Sequence, residues 1–178
     1  MPEYARYFRL LEICSLRGRK PPPQLWRDKP KLPYAEATIQ EIFRKSSLAV
    51  TGMMHTPLRD ATFGGYDIPK DTWIMPNIYA IHHDPKIWGD PHNFRPERFL
   101  SPDGKTVIKS DNVLPFSLGK RICLGEHLAR DEIFLFLTNI FQRFNITLDP
   151  TKPKPTYESK EGFLLHPEDF YVISQERF

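Results

Sequence analysis

A cysteine does chemistry as a nucleophile or metal ligand only where its surroundings keep it ionised. One of the chain's two cysteines sits in a sequence built for that. Cys123 follows Arg121, Gly119 and Phe116 and precedes Gly125, so the run Phe116-Ser117-Leu118-Gly119-Lys120-Arg121-Ile122-Cys123-Leu124-Gly125 fixes five positions in ten. Each fixed type has a physical task. A helix starting right after Cys123 would aim backbone donors and the positive end of its dipole at the sulfur. Gly119 can take a turn conformation closed to other residues, and Gly125 allows close approach of a flat group. Arg121 supplies a planar, permanently charged donor, and Phe116 an apolar ring to keep water from the sulfur. A buried structural thiol is the common fate of a free cysteine, but it does not account for this flanking pattern.

The pattern F-x-x-G-x-R-x-C-x-G resembles the haem-ligand signature of the cytochrome P-450 family. The likeness runs from about Leu32 to the end and looks closest to the animal microsomal type. The resemblance implies that Cys123 holds the iron of haem b (iron protoporphyrin IX), with Phe116, Gly119 and Gly125 packed about it and Arg121 at a propionate. Haem iron held by a thiolate favours O–O cleavage on its far face. The fold implied is α+β and mainly helical, the C-terminal portion of the cytochrome P-450 fold: a helix bearing E-x-x-R, small β-hairpins, a meander, the cysteine-ligand loop, a long helix after it and a terminal β-sheet.

The elements that must position this loop can be read in order. Pro33 suits a helix start, and Ala35, Ile39, Ile42 and Phe43 recur on one face, which predicts a buried amphipathic helix over 34–46. It carries Glu41-Ile42-Phe43-Arg44, whose two charges are neighbours at i,i+3 and by themselves are a weak signal. Downstream, Pro96-Glu97-Arg98-Phe99 resembles the family's P-E-R-F element. By that resemblance Glu41, Arg44 and Arg98 form a structural charge cluster that locks the meander.

Residues 48–56 should leave the helix and run extended. By resemblance this connection lines the substrate pocket, making Ala49, Val50, Thr51 and Met53 candidates for substrate contact. His55 resembles the family's propionate-binding histidine, with Met54 where a proline is usual. Phe63 to Met75 reads as a β-hairpin around a Pro69-Lys70-Asp71 turn, Asp71 replacing the family's glycine at a position where Asp tolerates a left-handed backbone. Asn77 to His82 reads as a short helix. The stretch 84–115 is proline-rich with Trp88, Phe94 and Phe99 as core candidates, an irregular packed meander. His82, His83 and His92 with Cys123 fit no common zinc-module spacing.

Beyond the cysteine loop, Glu126 to Asp149 has neither proline nor glycine. Leu124, Leu128, Ile133, Phe136, Leu137, Ile140, Phe141 and Phe144 predict the longest helix over 124–142, buried by that stripe, with Phe134 and Leu135 off it. The tail reads as strands at Phe163–Leu165 and Phe170–Ile173. By resemblance the turn at Gly162-Phe163-Leu164 reaches the substrate pocket, so Phe163 and Leu164 join the substrate-contact candidates.

Length and composition set limits. The chain's 178 residues allow one domain with a modest core, and the matching motifs all belong to the family's C-terminal part. Two cysteines unlike in context make no disulfide framework and point to a reducing compartment. The net charge of +3 is uneven: residues 1–31 hold eight Lys and Arg against three Asp and Glu, or +5, and the rest 17 against 19, or −2. The basic excess belongs to the leader and says nothing of nucleic acid, so no nucleic-acid partner is expected. No apolar run is long enough to span a membrane, so no anchor is expected in this chain; full-length relatives sit on the cytosolic face of the endoplasmic reticulum.

The domain reading is therefore 1–31 as an unmatched basic leader and Pro-rich linker, and 32–178 as the C-terminal haem-ligand part. Within the leader, Tyr4, Tyr7, Phe8 and Leu11 recur at helical spacing among arginines. A transit peptide, a membrane-surface helix and a displaced terminus all accommodate that pattern.

The function implied by resemblance is C–H hydroxylation using O2, with electrons from NADPH-cytochrome reductase or a similar donor and a small apolar organic substrate. No catalytic residue is assigned. In relatives the proton-delivering acid and alcohol lie on a central helix upstream of the position matching Leu32, and a chain this short has no room for it. Two outcomes follow: an incomplete haem-thiolate monooxygenase, or a non-catalytic proximal-half module acting through protein interaction by way of Lys120 and Arg130. Either way, helices shaped to pack on a missing half should leave apolar stripes uncovered.

Overall fold

A computed structural model describes residues 26–156, 159–160 and 164–177. The expected helix at residues 4–11, the linker at 20–23, Cys14 and Phe163 lie outside the described residues. After a 3-10 turn at Trp26–Lys31, helix α1 spans Pro33–Ser46, with proline at its first position as its sequence predicts. Its C-cap is Ser47 at φ 40°, a left-handed conformation that side chains other than glycine rarely take. The Ser47 hydroxyl donates to the Arg44 carbonyl across 2.9 Å, satisfying an orphan of the last turn.

The segment after α1 runs extended, and residues 51 and 55 bridge back to 77 and 74. The hairpin follows, β1 (Ala61–Phe63) against β2 (Tyr66–Ile68), but it turns at Gly64-Gly65 and not at Pro69-Lys70-Asp71. Two adjacent glycines at φ 61° and 84° make the tighter reversal. Pro69 to Thr72 still forms a turn of its own, with Asp71 at φ 65° in the left-handed conformation expected of it.

Helix α2 (Ile78–His82) is capped by Asn77, whose side chain accepts from Ala80 N–H, and helix α3 (Pro85–Trp88) is capped likewise by Asp84. The meander then bends through a 3-10 turn at Pro96–Phe99. Trp88 and Phe99 are buried edge to face, 5.9 Å between ring centres, and the Trp88 indole donates to the Ile81 carbonyl. They join Leu32, Ala35, Ala37, Ile39, Phe43, Val113 and Phe134 in one core. The expected packing role of Trp88 and Phe99 is thus met, with Phe94 only half-buried.

Helix α4 spans Glu126–Arg143 and is the longest in the described residues. Its buried side chains are Phe134, Thr138 and Gln142, which packs it on α1 and the Trp26–Lys31 turn. The predicted stripe is therefore inward only in part: Ile133 packs against the core and Leu137 and Phe141 are half-buried, but Leu124 (101%), Leu128 (65%) and Phe136 (66%) stand exposed. A helix apolar on more than one side cannot declare which side is inward from its own sequence, and such helices belong to larger cores.

The chain passes from α4 directly into β3 (Phe144–Leu148). Strands β4 (Ser159–Lys160), β5 (His166–Pro167) and β6 (Val172–Glu176) follow. Strand β3 pairs antiparallel with β6, and β4 with β5. The terminal strand thus starts two residues later than the expected 170–173 and runs on to Glu176, and Leu164 and Leu165 precede β5 outside any strand. With three two-stranded sheets and mostly helical elements among the described residues, the architecture is α+β, as expected. No described helix is long and apolar enough to cross a membrane.

Candidate functional site: the Cys123 loop and its buried support

The loop before α4 is shaped by its glycine and by one backbone bond. Ser117 and Gly119 lie at φ 65° and 70°, both in the left-handed region. The chain then makes a 3-10 turn over Gly119–Arg121 and returns so that Cys123 N–H donates to the Phe116 carbonyl across 2.9 Å. Cys123 is a free, exposed thiol. Helix α4 begins at Glu126, not directly at the cysteine, and its first amide donates to the Cys123 carbonyl at 3.3 Å. Gly125 sits at an ordinary φ of −87°, so no strain requires glycine there. A Cβ on Gly125 would stand 3.9 Å from Cys123 Sγ, so its absence keeps the sulfur bare on that side.

Phe116 is half-buried. Its ring turns inward to meet Phe43 edge-on at 5.2 Å, and the guanidinium of Arg130 lies over both rings, 5.0 Å from Phe43 and 5.1 Å from Phe116. Arg130 also pairs with Glu126 at 2.7 Å. An arginine so committed is a brace between α1, the loop and α4 rather than a free surface charge for a partner. Lys120 and Arg121 are exposed.

Beneath the loop lies the charge cluster. Arg44 forks onto Glu41, 2.7 Å from Nε and 2.8 Å from Nη2, and Arg98 Nε reaches the same carboxylate at 3.3 Å. Glu41 and Arg44 are fully buried. The remaining guanidinium donors go to the meander: Arg44 Nη1 to the His82 carbonyl, Arg98 to the carbonyls of Trp88, Asp90 and Asn93. Glu41 also accepts from the Arg95 amide at 2.8 Å. Asp90 adds a second carboxylate 3.1 Å from Arg98. Burial alone would raise the Asp90 carboxyl, but the Arg98 charge and hydrogen bond, with Arg95, outweigh it and hold it below the usual range.

The other predicted residues belong to the extended segment after α1 and to the stretch before β5. His55, half-buried, exchanges both backbone bonds with Ile74 at 2.9 and 2.8 Å. Ala49, Val50 and Thr51 are half-buried, whereas Met53 is 71% exposed. Leu165 N–H donates to the Leu48 carbonyl at 2.9 Å, which brings the Leu164 turn beside the 49–51 segment.

The His82, His83 and His92 cluster is not a metal site. No group of three potential metal ligands exists among the described residues. His82 is instead wholly buried and bonded on both ring nitrogens, to Ser47 Oγ at 3.0 Å and to the Leu114 amide at 2.8 Å. Burial, then the charges of His83 and Arg44, push its pKa down to about 4. His83 stacks on Tyr79, ring centres 4.0 Å apart. The partners of His82 lie 35 and 32 residues away in sequence, so no local pattern announces it.

The loop's chemistry fits a haem-thiolate centre. A single soft donor projects from a bare backbone, and Leu118, Ile122, Leu124 and Leu128 around it are exposed apolar side chains suited to a flat apolar macrocycle. Comparison with known proteins agrees. The family model described as Cytochrome P450 matches residues 11–174, starting inside the stretch whose motifs carried no resemblance. Farnesoate epoxidase of Bombyx mori is 42% identical over 166 residues, 93% of this chain and 33% of its own length. Cytochrome P450 1A2 of Oryctolagus cuniculus is 43% identical over 169 residues, 94% of this chain and 33% of its own. A solved zebrafish cytochrome P450 with abiraterone superposes with a TM-score of 0.85 at 34% identity, covering 97% of this chain and 40% of that one. This chain therefore spans about a third of the length of the curated relatives it matches, and it belongs to the cytochrome P450 family.

Proposed function

We propose that the chain carries the haem-ligand portion of a haem-thiolate monooxygenase, with Cys123 as the thiolate ligand of haem b. The observation that carries this reading is the exposed sulfur of Cys123 on a loop held by its Phe116 bond and flanked in sequence by exposed apolar side chains. When bound, the haem supplies the oxygen chemistry, since thiolate-held iron favours O–O cleavage. The chain's own residues hold and orient it. Cys123 ligates; the bare Gly125 leaves the sulfur approachable; Arg121 and His55 are assigned to the propionates. Glu41, Arg44 and Arg98 keep the meander, and so the loop, in place.

Residues 32–178 form this ligand-bearing part and 1–31 a basic leader. Ala49, Val50, Thr51, Met53, Phe163 and Leu164 are assigned to contact a small apolar organic substrate that is hydroxylated at C–H. The bond between Leu165 and Leu48 supports grouping those two segments. Electrons come from NADPH-cytochrome reductase or a similar donor at the endoplasmic reticulum membrane. The test is a titration of the purified chain with haem, reduced under carbon monoxide. A red-shifted Soret band that Cys123→Ser abolishes supports ligation; a band like that of free haem in both removes it.

A further inference from the structure

His82 lies outside the cysteine loop, yet its two ring nitrogens join the C-cap of α1 to the loop's first residues, and its backbone carbonyl joins them to the charge cluster. Its Nε2 sits 2.8 Å from the Leu114 N–H, a donor, so Nε2 must be unprotonated. The ring hydrogen is then on Nδ1 and goes to Ser47 Oγ at 3.0 Å, while the Ser47 hydroxyl hydrogen goes to the Arg44 carbonyl. The backbone carbonyl of the same His82 accepts from Arg44 Nη1 at 2.7 Å.

On the loop side, Pro115 has no N–H, so Leu114 carries the last amide before Phe116. The Leu114 carbonyl accepts from Ser117, and the Phe116 carbonyl accepts from Cys123. Two left-handed residues, Ser117 and Gly119, follow this anchor. Such a backbone persists only where its surroundings hold it.

We propose that His82, as the neutral Nδ1–H tautomer, is a positioning residue for the Cys123 loop, fixing its entry through the Leu114 amide and its own place through Arg44 and Ser47. Its importance to haem chemistry rests on Cys123 being the ligand; the geometry does not. The charged or titratable groups that face it are Arg44 from α1 and His83 beside it, and both favour the neutral ring.

Two measurements on the full chain test this. Long-range nitrogen-proton spectra of the wild type should show Nε2 unprotonated and Nδ1 protonated between about pH 6 and 8; an Nε2–H tautomer overturns the proposal, and this holds even should a variant fail to fold. In His82→Leu, the amides of Leu114, Ser117 and Cys123 should exchange roughly tenfold faster, while Ile39 and Phe43 inside α1 keep their rates. His82→Gln, which retains an acceptor, should restore the slow exchange. Unchanged loop amides in His82→Leu, or equal acceleration everywhere, overturns it. Haem titration of the same samples separates the two readings, because failure of ligation with the exchange pattern intact removes the haem and leaves the positioning role.

Discussion

Arg44 and Glu41 meet at full burial through two hydrogen bonds of 2.7 and 2.8 Å, a fork-to-fork pair inside the core rather than on a helix surface. Removing one partner of such a pair leaves a buried charge uncompensated, which costs about 3–5 kcal/mol. Glu41→Ala strands two guanidinium groups and is expected to lose that much in urea unfolding. Glu176→Ala, which breaks the exposed pair with Arg143 (68% and 55% exposed), should lose roughly 1 kcal/mol or less. Equal losses from the two variants would mean that burial is not what gives the cluster its weight.

Stability should fall in mild acid because of His82. Its folded pKa is about 4, below the ordinary histidine value of 6.5, so between these values the unfolded chain binds a proton that the folded chain resists. The contribution of the neutral ring is therefore complete above about pH 6.5 and lost as pH falls toward 4, a span worth roughly 3 kcal/mol. Urea midpoints of wild type and His82→Gln from neutral pH to pH 4.5 check this. The difference between the two should shrink as the pH drops, and a constant difference would contradict the assignment.

Gly119 stands at φ 70° with open space where a Cβ would be, so backbone strain alone opposes substitution. Gly119→Ala is expected to cost about 1–2 kcal/mol. Gly125→Ala, at an ordinary φ, should cost less in stability and act instead on access to the sulfur, read as a slower alkylation of Cys123. The reverse ordering would show that the loop is held differently.

The uncovered faces should make the chain sticky. Leu124, Leu128 and Phe136 on and before α4, together with Met53, are exposed side chains of a kind that marks binding or association surfaces. Light scattering and binding of an apolar dye should both be high for the wild type. Leu128→Glu with Phe136→Glu should lower both and leave stability within about 0.5 kcal/mol. A monodisperse wild-type monomer that binds no dye would refute this.

What the sequence made legible follows from where each signal is stored. The Cys123 pattern is local and the proline start of α1 is a local rule, so these could be read directly, whereas the Glu41–Arg44 spacing took its meaning from Arg98 downstream. Two turn signals competed in the hairpin, and the paired glycines won over Pro69-Lys70-Asp71. The buried face of α4 could not be read, because Phe134 and the Leu128–Phe136 side are both apolar and only α1 decides between them. His82 stayed hidden for a related reason: Ser47 and Leu114, which give it meaning, lie far from it along the chain. Arg130 looked like a surface charge until Phe43 and Phe116 were found beneath it.

The most direct test of the haem-thiolate reading is iron X-ray absorption fine structure on the haem-loaded chain. One sulfur scatterer in the iron's first shell is expected for the wild type, lost in Cys123→Ser and retained in a Cys14→Ser background. A first shell of nitrogen and oxygen alone in the wild type would contradict the assignment of Cys123.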